Sequence, residues 1–438
     1  MIPKRPINAD VPSSDENEEA PEPKQPERDK RRPKPLAPKL LALLVVLALV
    51  FIVVAIVGSS GGEEESGGGV TTAAPSPAGG DGGEAPSPQV AETLAFPTFA
   101  TNNTTRIGGS SPTSNAAGVA LAVFPSVTDA QRPAAVTLVA EEDWAGAIAA
   151  SVLMAPPVRS PVLFSSHDEL PEGSEEALAA LSPQGNKATG GASLFAIGSV
   201  ALPDGAGAVT RVDSGDAAAT AAQIATLRDR LSGKPPAHFL VASSSAPDFA
   251  MPAAAWAARS GDPVLFTEAK KLPAATSAIL KQHPKVPVFA LGPEAAIGKG
   301  VLKEIAKIAK QARRVAGKDP VANALALARY RRGSFGWNVN DPGHGFVLAR
   351  SDSPADAAAA AALSASGTWG PLLLSDDAGT LPKALRSYFL DVKPGYTTDP
   401  TRAFYNHVWV IGDQEAIGVG EQAEVNELAE LVKIGGEP

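Results

Sequence analysis

The sequence predicts an α/β protein of three tandem parallel-sheet units, preceded by one transmembrane helix. Three observations predict it. Short apolar runs without period-2 alternation recur between Ala-rich segments, which is the pattern of strands buried on both faces and joined by helical crossovers. Four short motifs recur three times in one order, the mark of an internal repeat. Near the start lies a single uninterrupted apolar stretch of 18 residues.

Composition bounds the rest. A chain of 438 residues exceeds one comfortable core, so several domains are expected. Aromatics make up only 5%, which argues against a glycan-stacking surface, and the absence of cysteine excludes disulfides, thiolate metal sites and a Cys nucleophile. A net charge of −9 argues against general nucleic-acid affinity, although a local basic patch is compatible with it. The five histidines show no H-E-x-x-H spacing and there is no G-x-S-x-G elbow, so neither a cofactor, a metal nor a catalytic constellation is legible. Gly292 to Gly300 follows a strand but has the wrong glycine spacing for a phosphate loop, and Gly300 stands where Ser or Thr should ligate magnesium.

Residues 1–39 mix Pro with both signs of charge and read as a disordered cytoplasmic tail. Leu40 to Val57 gives about 27 Å of helix, close to the thickness of a bilayer core, and 40–58 is assigned as the span. Lys30, Arg31, Arg32, Lys34 and Lys39 precede it and Glu63, Glu64 and Glu65 follow it, so the N-terminus faces the cytoplasm and the C-terminal bulk lies outside. Residues 59–92 are a flexible Gly/Ser/Pro linker.

The repeats follow as units 93–205, 206–309 and 310–438. Each opens on Arg, a small apolar residue and a Gly- or Asp-containing turn: Arg106, Arg211 and Arg314. Next comes an apolar strand, a polar loop and an Asp at a helix start: Asp143, Asp248 and Asp356. A Pro-led strand follows, with Pro161 and Leu163, Pro263 and Leu265, and Pro371 and Leu373, each trailed by Leu-Pro. A strand ending in Gly198, Gly292 or Gly412 closes the pattern, and the third unit carries an insertion from Lys393 to Asn406.

This order of motifs resembles the type 2 cell wall-binding repeat family over about 105–430. The resemblance implies Rossmann- or Toprim-like units packed as a pseudo-trimer, and non-covalent attachment to anionic, teichoic-acid-like wall polymers. The Pro-led strand is the family element implicated in attachment; it reads PVLF in two copies here and PLLL in the third.

The residues themselves leave alternatives open. Aspartates at helix starts cap backbone N–H groups, or meet a ligand at the sheet edge where such folds bind. The three arginines hold an anionic polymer or pair with acids of a neighbouring unit. Lys299, Lys303, Lys307 and Lys310 share one helical face within a stretch to Arg332 in which ten basic residues meet only Glu304 and Asp319. That face is either solvated or a polyanion strip. The expected function is non-catalytic, extracytoplasmic wall binding by a membrane-anchored envelope protein. The competing classes are an extracytoplasmic hydrolase with a carboxylate pair and a protein-partner scaffold.

Overall fold

The computed structural model describes residues 97–213, 215–366 and 370–435. The tail, span and linker read from the sequence lie outside them, and among the described residues no helix is long and apolar enough to cross a membrane. Strands β1 (Pro97–Ala100) and β2 (Thr104–Ile107) lead into α1 (Pro112–Val123), β3 (Val136–Ala140), α2 (Trp144–Ala150), β4 (Val162–Ser165), α3 (Glu172–Leu181) and β5 (Leu194–Ile197). Then follow β6 (Val209–Val212), α4 (Ala217–Ser232), β7 (Phe239–Ser243), α5 (Pro247–Ala250), α6 (Pro252–Ser260), β8 (Val264–Thr267), α7 (Ala274–Gln282), β9 (Val288–Leu291) and α8 (Lys299–Ile308). The last third comprises β10 (Ala312–Val315), α9 (Pro320–Arg329), β11 (Gly345–Arg350), α10 (Pro354–Ala365), β12 (Leu372–Ser375), α11 (Lys383–Asp391), β13 (Gly395–Tyr396), β14 (His407–Ile411), α12 (Val419–Ala429) and β15 (Val432–Lys433).

Three main sheets result, in the orders β4-β3-β5-β6, β8-β7-β9-β10 and β12-β11-β14-β2-β1, beside a small two-stranded sheet of β13 and β15. All pairings within them are parallel except β1 on β2. Each arginine-bearing strand pairs with the Gly-terminated strand of the repeat before it, with Arg211 opposite Ala196 and Arg314 opposite Ala290. The first such strand has no repeat before it and pairs instead with the last, Arg106 standing opposite Val410. The chain thus closes a ring of three equivalent sheets.

The helices after β3, β7 and β11 meet in the middle. Helices α2, α6 and α10, with the turn Ser151–Met154, pack on one another, and their contact residues are largely alanine: Ala253 to Ala255, and Ala357 to Ala362. A side chain of one carbon lets helix axes approach closely while keeping high helix propensity. Helices α1, α4 and α9 each bridge two units, covering the edge strands β4, β8 and β12, so that one edge of each sheet is protected. Helices α3, α7, α8, α11 and α12 lie on the other side of their sheets. The first unit has only α3 there, because residues 198–208 join β5 to β6 without a helix.

Candidate functional site

Strand register makes the three units comparable residue by residue, and it decides what the arginines do. Arg106 is buried; its Nη1 donates to the carbonyls of Gly412 (2.7 Å) and Asp413 (2.6 Å), Nη2 to that of Ile417 (2.6 Å), and Nε to Gln422 Oε1 (2.8 Å). Arg314 repeats the core of this pattern on Gly292 (2.6 Å) and Ile297 (2.5 Å). Both guanidinium groups satisfy carbonyls of the Gly-to-Gly turn that opens α12 or α8. Arg211 is exposed beside a cleft shared with Gln223, Thr226 and Arg230, since the first unit lacks that turn and helix.

The three aspartates stand at helix starts but not at one position. Asp143 is the N-cap of α2 and accepts from Gly146 N (2.8 Å). Aligned on the ladders, Asp248 and Asp356 stand two and three residues further along, inside the first turn. Asp356 is buried, accepting from Asn115 Nδ2 (2.9 Å) on α1 and from Ser353 Oγ (2.6 Å); burial raises its carboxyl above the ordinary range, against those two bonds. In the second unit the matching residue is Phe249, whose carbonyl accepts from Asn323 (3.1 Å).

Asp356 lines a 280 Å³ cleft at the C-terminal ends of β2, β11 and β14, with Arg350, Asp352, Asp413 and Glu415 around it. Arg350 Nη2 is bonded to Asp352 (2.8 Å), and that bond holds the Asp352 carboxyl below its usual value. Carboxyls outnumber the one paired cation here, so this edge repels a polyanion. Glu421 on α12, 1% exposed, occupies the place of Val301 in the second unit; burial pushes its carboxyl up to about 7, only partly opposed by Ser375 and Arg350. Glu421 escaped the sequence reading, although matching Gly292–Leu302 with Gly412–Gln422 reveals the Val-to-Glu exchange. Among the described residues no group of three or more His, Asp or Glu is placed to hold a metal.

In the Pro-led strands, the carbonyls of Pro161, Pro263 and Pro371 accept from Thr137 (2.8 Å), Leu240 (3.0 Å) and Val347 (3.1 Å). Leu163, Leu265 and Leu373 are fully buried in the core. Proline suits the first ladder position because no donor is required of it.

The basic residues gather elsewhere. Lys299, Lys303 and Lys307 are exposed on α8; Lys310 follows just past its C-cap, and Arg313 is exposed on the edge strand β10. Helix α7 lies against α8 in the same layer and adds Lys281, with Lys285 in the turn just beyond its C-cap, an adjacency invisible in the linear sequence. Lys299 pairs with Glu294 (2.8 Å), whereas Lys281, Lys285, Lys303, Lys307, Lys310 and Arg313 have no ion-pair partner among the described residues. The matching positions of α12 are Val419, Ala423, Glu427 and Glu430, and α3 of the first unit carries Glu172, Glu175 and Glu176. The outer faces therefore differ in sign, and only the second is basic.

Comparison with known proteins is consistent with this architecture. The family described as Cell wall binding domain 2 (CWB2) matches residues 211–302 and 314–419, leaving the first unit outside the match. Among solved structures, Cwp6 from Clostridium difficile is similar at 19% identity and a TM-score of 0.59, over 76% of this chain and 50% of that one. Cwp8 from Clostridium difficile is similar at 21% identity and a TM-score of 0.58, over 75% of this chain and 52% of that one. These likenesses establish the fold, and the chain spans about half the length of each. No curated protein sequence matches it.

Proposed function

We propose that this chain, whose residues 211–302 and 314–419 match the Cell wall binding domain 2 family, binds the bacterial wall through an anionic, teichoic-acid-like polymer. Binding by this surface involves no catalytic group. The observation that carries the reading is the outer face of the second unit, where six cations with no ion-pair partner among the described residues stand on α7, α8, β10 and the segments beside them, in a chain whose net charge is −9. Such a face concentrates a polyanion while the acidic faces on either side repel it, fixing where the polymer lies. In this reading residues 40–58 tether the protein to the membrane with its N-terminus in the cytoplasm, and the linker 59–92 lets the ring reach the wall.

The test is co-sedimentation of the compact unit Gly83–Pro438, which contains every sheet of the ring, with wall sacculi before and after removal of their anionic polymers. Pelleting is expected with intact sacculi, weakening as salt rises and disappearing once the polymers are stripped. Equal pelleting with stripped sacculi, or none with either, contradicts the proposal.

A further inference from the structure

At the opposite, N-terminal edge of the second sheet, three residues far apart in sequence are joined in a line. Ser334 Oγ lies 3.2 Å from His238 Nε2, and His238 Nδ1 lies 2.9 Å from Asp262 Oδ2. Asp262 is buried at 1% exposure and also accepts from the His238 backbone N–H (2.9 Å) and Trp256 Nε1 (3.0 Å). With Asp262 accepting from Nδ1–H, Nε2 is left as the acceptor for the serine hydroxyl, the tautomer a general base needs.

The serine is presented rather than buried. Arg332 and Phe335 exchange backbone bonds (2.8 and 3.1 Å), making Gly333-Ser334 the two central residues of a tight turn. Gly333 adopts φ +61° and Gly336 φ +100°, where a Cβ would come within 2.2 Å of the Tyr330 carbonyl, so glycine is required there. Phe335 anchors the turn: it is fully buried and stacks on Phe289 at 3.7 Å, with the His238 ring 5.5 Å away on edge. Ser334 is exposed at the mouth of a 360 Å³ cavity walled by Trp256, Arg259 and Trp337. The indole N–H of Trp337 is buried and, like Gly336, makes no hydrogen bond among the described residues.

We propose that Ser334, His238 and Asp262 form a nucleophilic triad acting on a short-chain carboxylic ester, such as an O-acyl group on a wall sugar. Ser334 Oγ bonds to the acyl carbon while its proton passes to His238 Nε2. The carbon–oxygen bond to the sugar then breaks and the alcohol leaves with that proton. Water attacks the acyl-serine and gives a proton to His238, and the acyl–Oγ bond breaks as His238 returns that proton to Oγ, releasing the acid and restoring Ser334. Asp262 positions the imidazole and stabilises its charged form.

The experiment treats the Gly83–Pro438 unit with a fluorophosphonate probe and, separately, with p-nitrophenyl acetate, beside Ser334→Ala and Asp262→Asn. The expected result is one covalent adduct mapped to Ser334, absent from Ser334→Ala, and ester turnover reduced at least 100-fold in that variant and in Asp262→Asn. Thermal melting checks that both variants are folded; Ser334→Ala removes only an exposed hydroxyl, so it keeps the test valid even if Asp262→Asn unfolds. No adduct at Ser334, or turnover undiminished in folded Ser334→Ala, overturns the proposal. Pelleting with sacculi is expected to be unchanged in Ser334→Ala, so this proposal and the wall-binding reading fail separately.

Discussion

Arg106 Nε and Gln422 Oε1 are 2.8 Å apart although 316 positions separate them in the chain. With its three carbonyl contacts, Arg106 is where the first strand of the ring is fastened to the last sheet. Replacing it with Met removes four bonds and leaves buried carbonyls unsatisfied, at a cost of roughly 2–4 kcal/mol. Arg211→Met, at the equivalent but exposed position, is expected to change stability by less than about 0.5 kcal/mol. Urea unfolding of both variants checks this; equal losses would show that Arg106 does not fasten the ring.

Glu421 makes stability depend on pH. Its carboxyl stays protonated in the fold up to about pH 7, while in the unfolded chain it ionises near 4.5. A raised acid contributes stability that is full below the unfolded value and lost as pH rises through the folded one. Glu421→Gln is therefore expected to gain about 1–3 kcal/mol over the parent at pH 8 and nothing at pH 4. Denaturant titrations at the two pH values decide it, and a pH-independent difference counts against the assignment.

The contact between Asn115 and Asp356 joins the first helix to the third unit across the ring. Asn115→Ala takes a donor from a buried carboxyl and another bond from Gly109 N, which should cost about 1–3 kcal/mol. Asn115→Asp should be worse at neutral pH, with the deficit narrowing as pH falls, because it sets two carboxyls face to face. Melting temperatures across pH 5 to 8 give the comparison.

Much of the fold was legible because buried strands and Ala-rich helices follow local rules, and each repeat restates them. The partner of the Arg106 strand was not, since pairing with Val410 is set by ring closure rather than by nearby residues. The aspartates look equivalent in sequence but occupy three different helix positions, a distinction only strand register supplies. The basic face was half visible: helical spacing aligned Lys299, Lys303 and Lys307, while Lys281 and Lys285 join them through layer packing. His238, Asp262 and Ser334 match no spacing motif, because three different loops bring them together.

Two charge reversals, compared in sacculus binding, test whether the basic face of the second unit holds the wall polymer. Lys303→Glu with Lys307→Glu inverts the basic face of the second unit; Glu172→Lys with Glu175→Lys alters the acidic face of the first. All four side chains are exposed, so folding should be preserved. The lysine reversal is expected to abolish polymer-dependent pelleting and flatten its salt dependence, while the glutamate reversal leaves it intact or stronger. Undiminished pelleting of the folded lysine variant would contradict the claim that this face grips the wall.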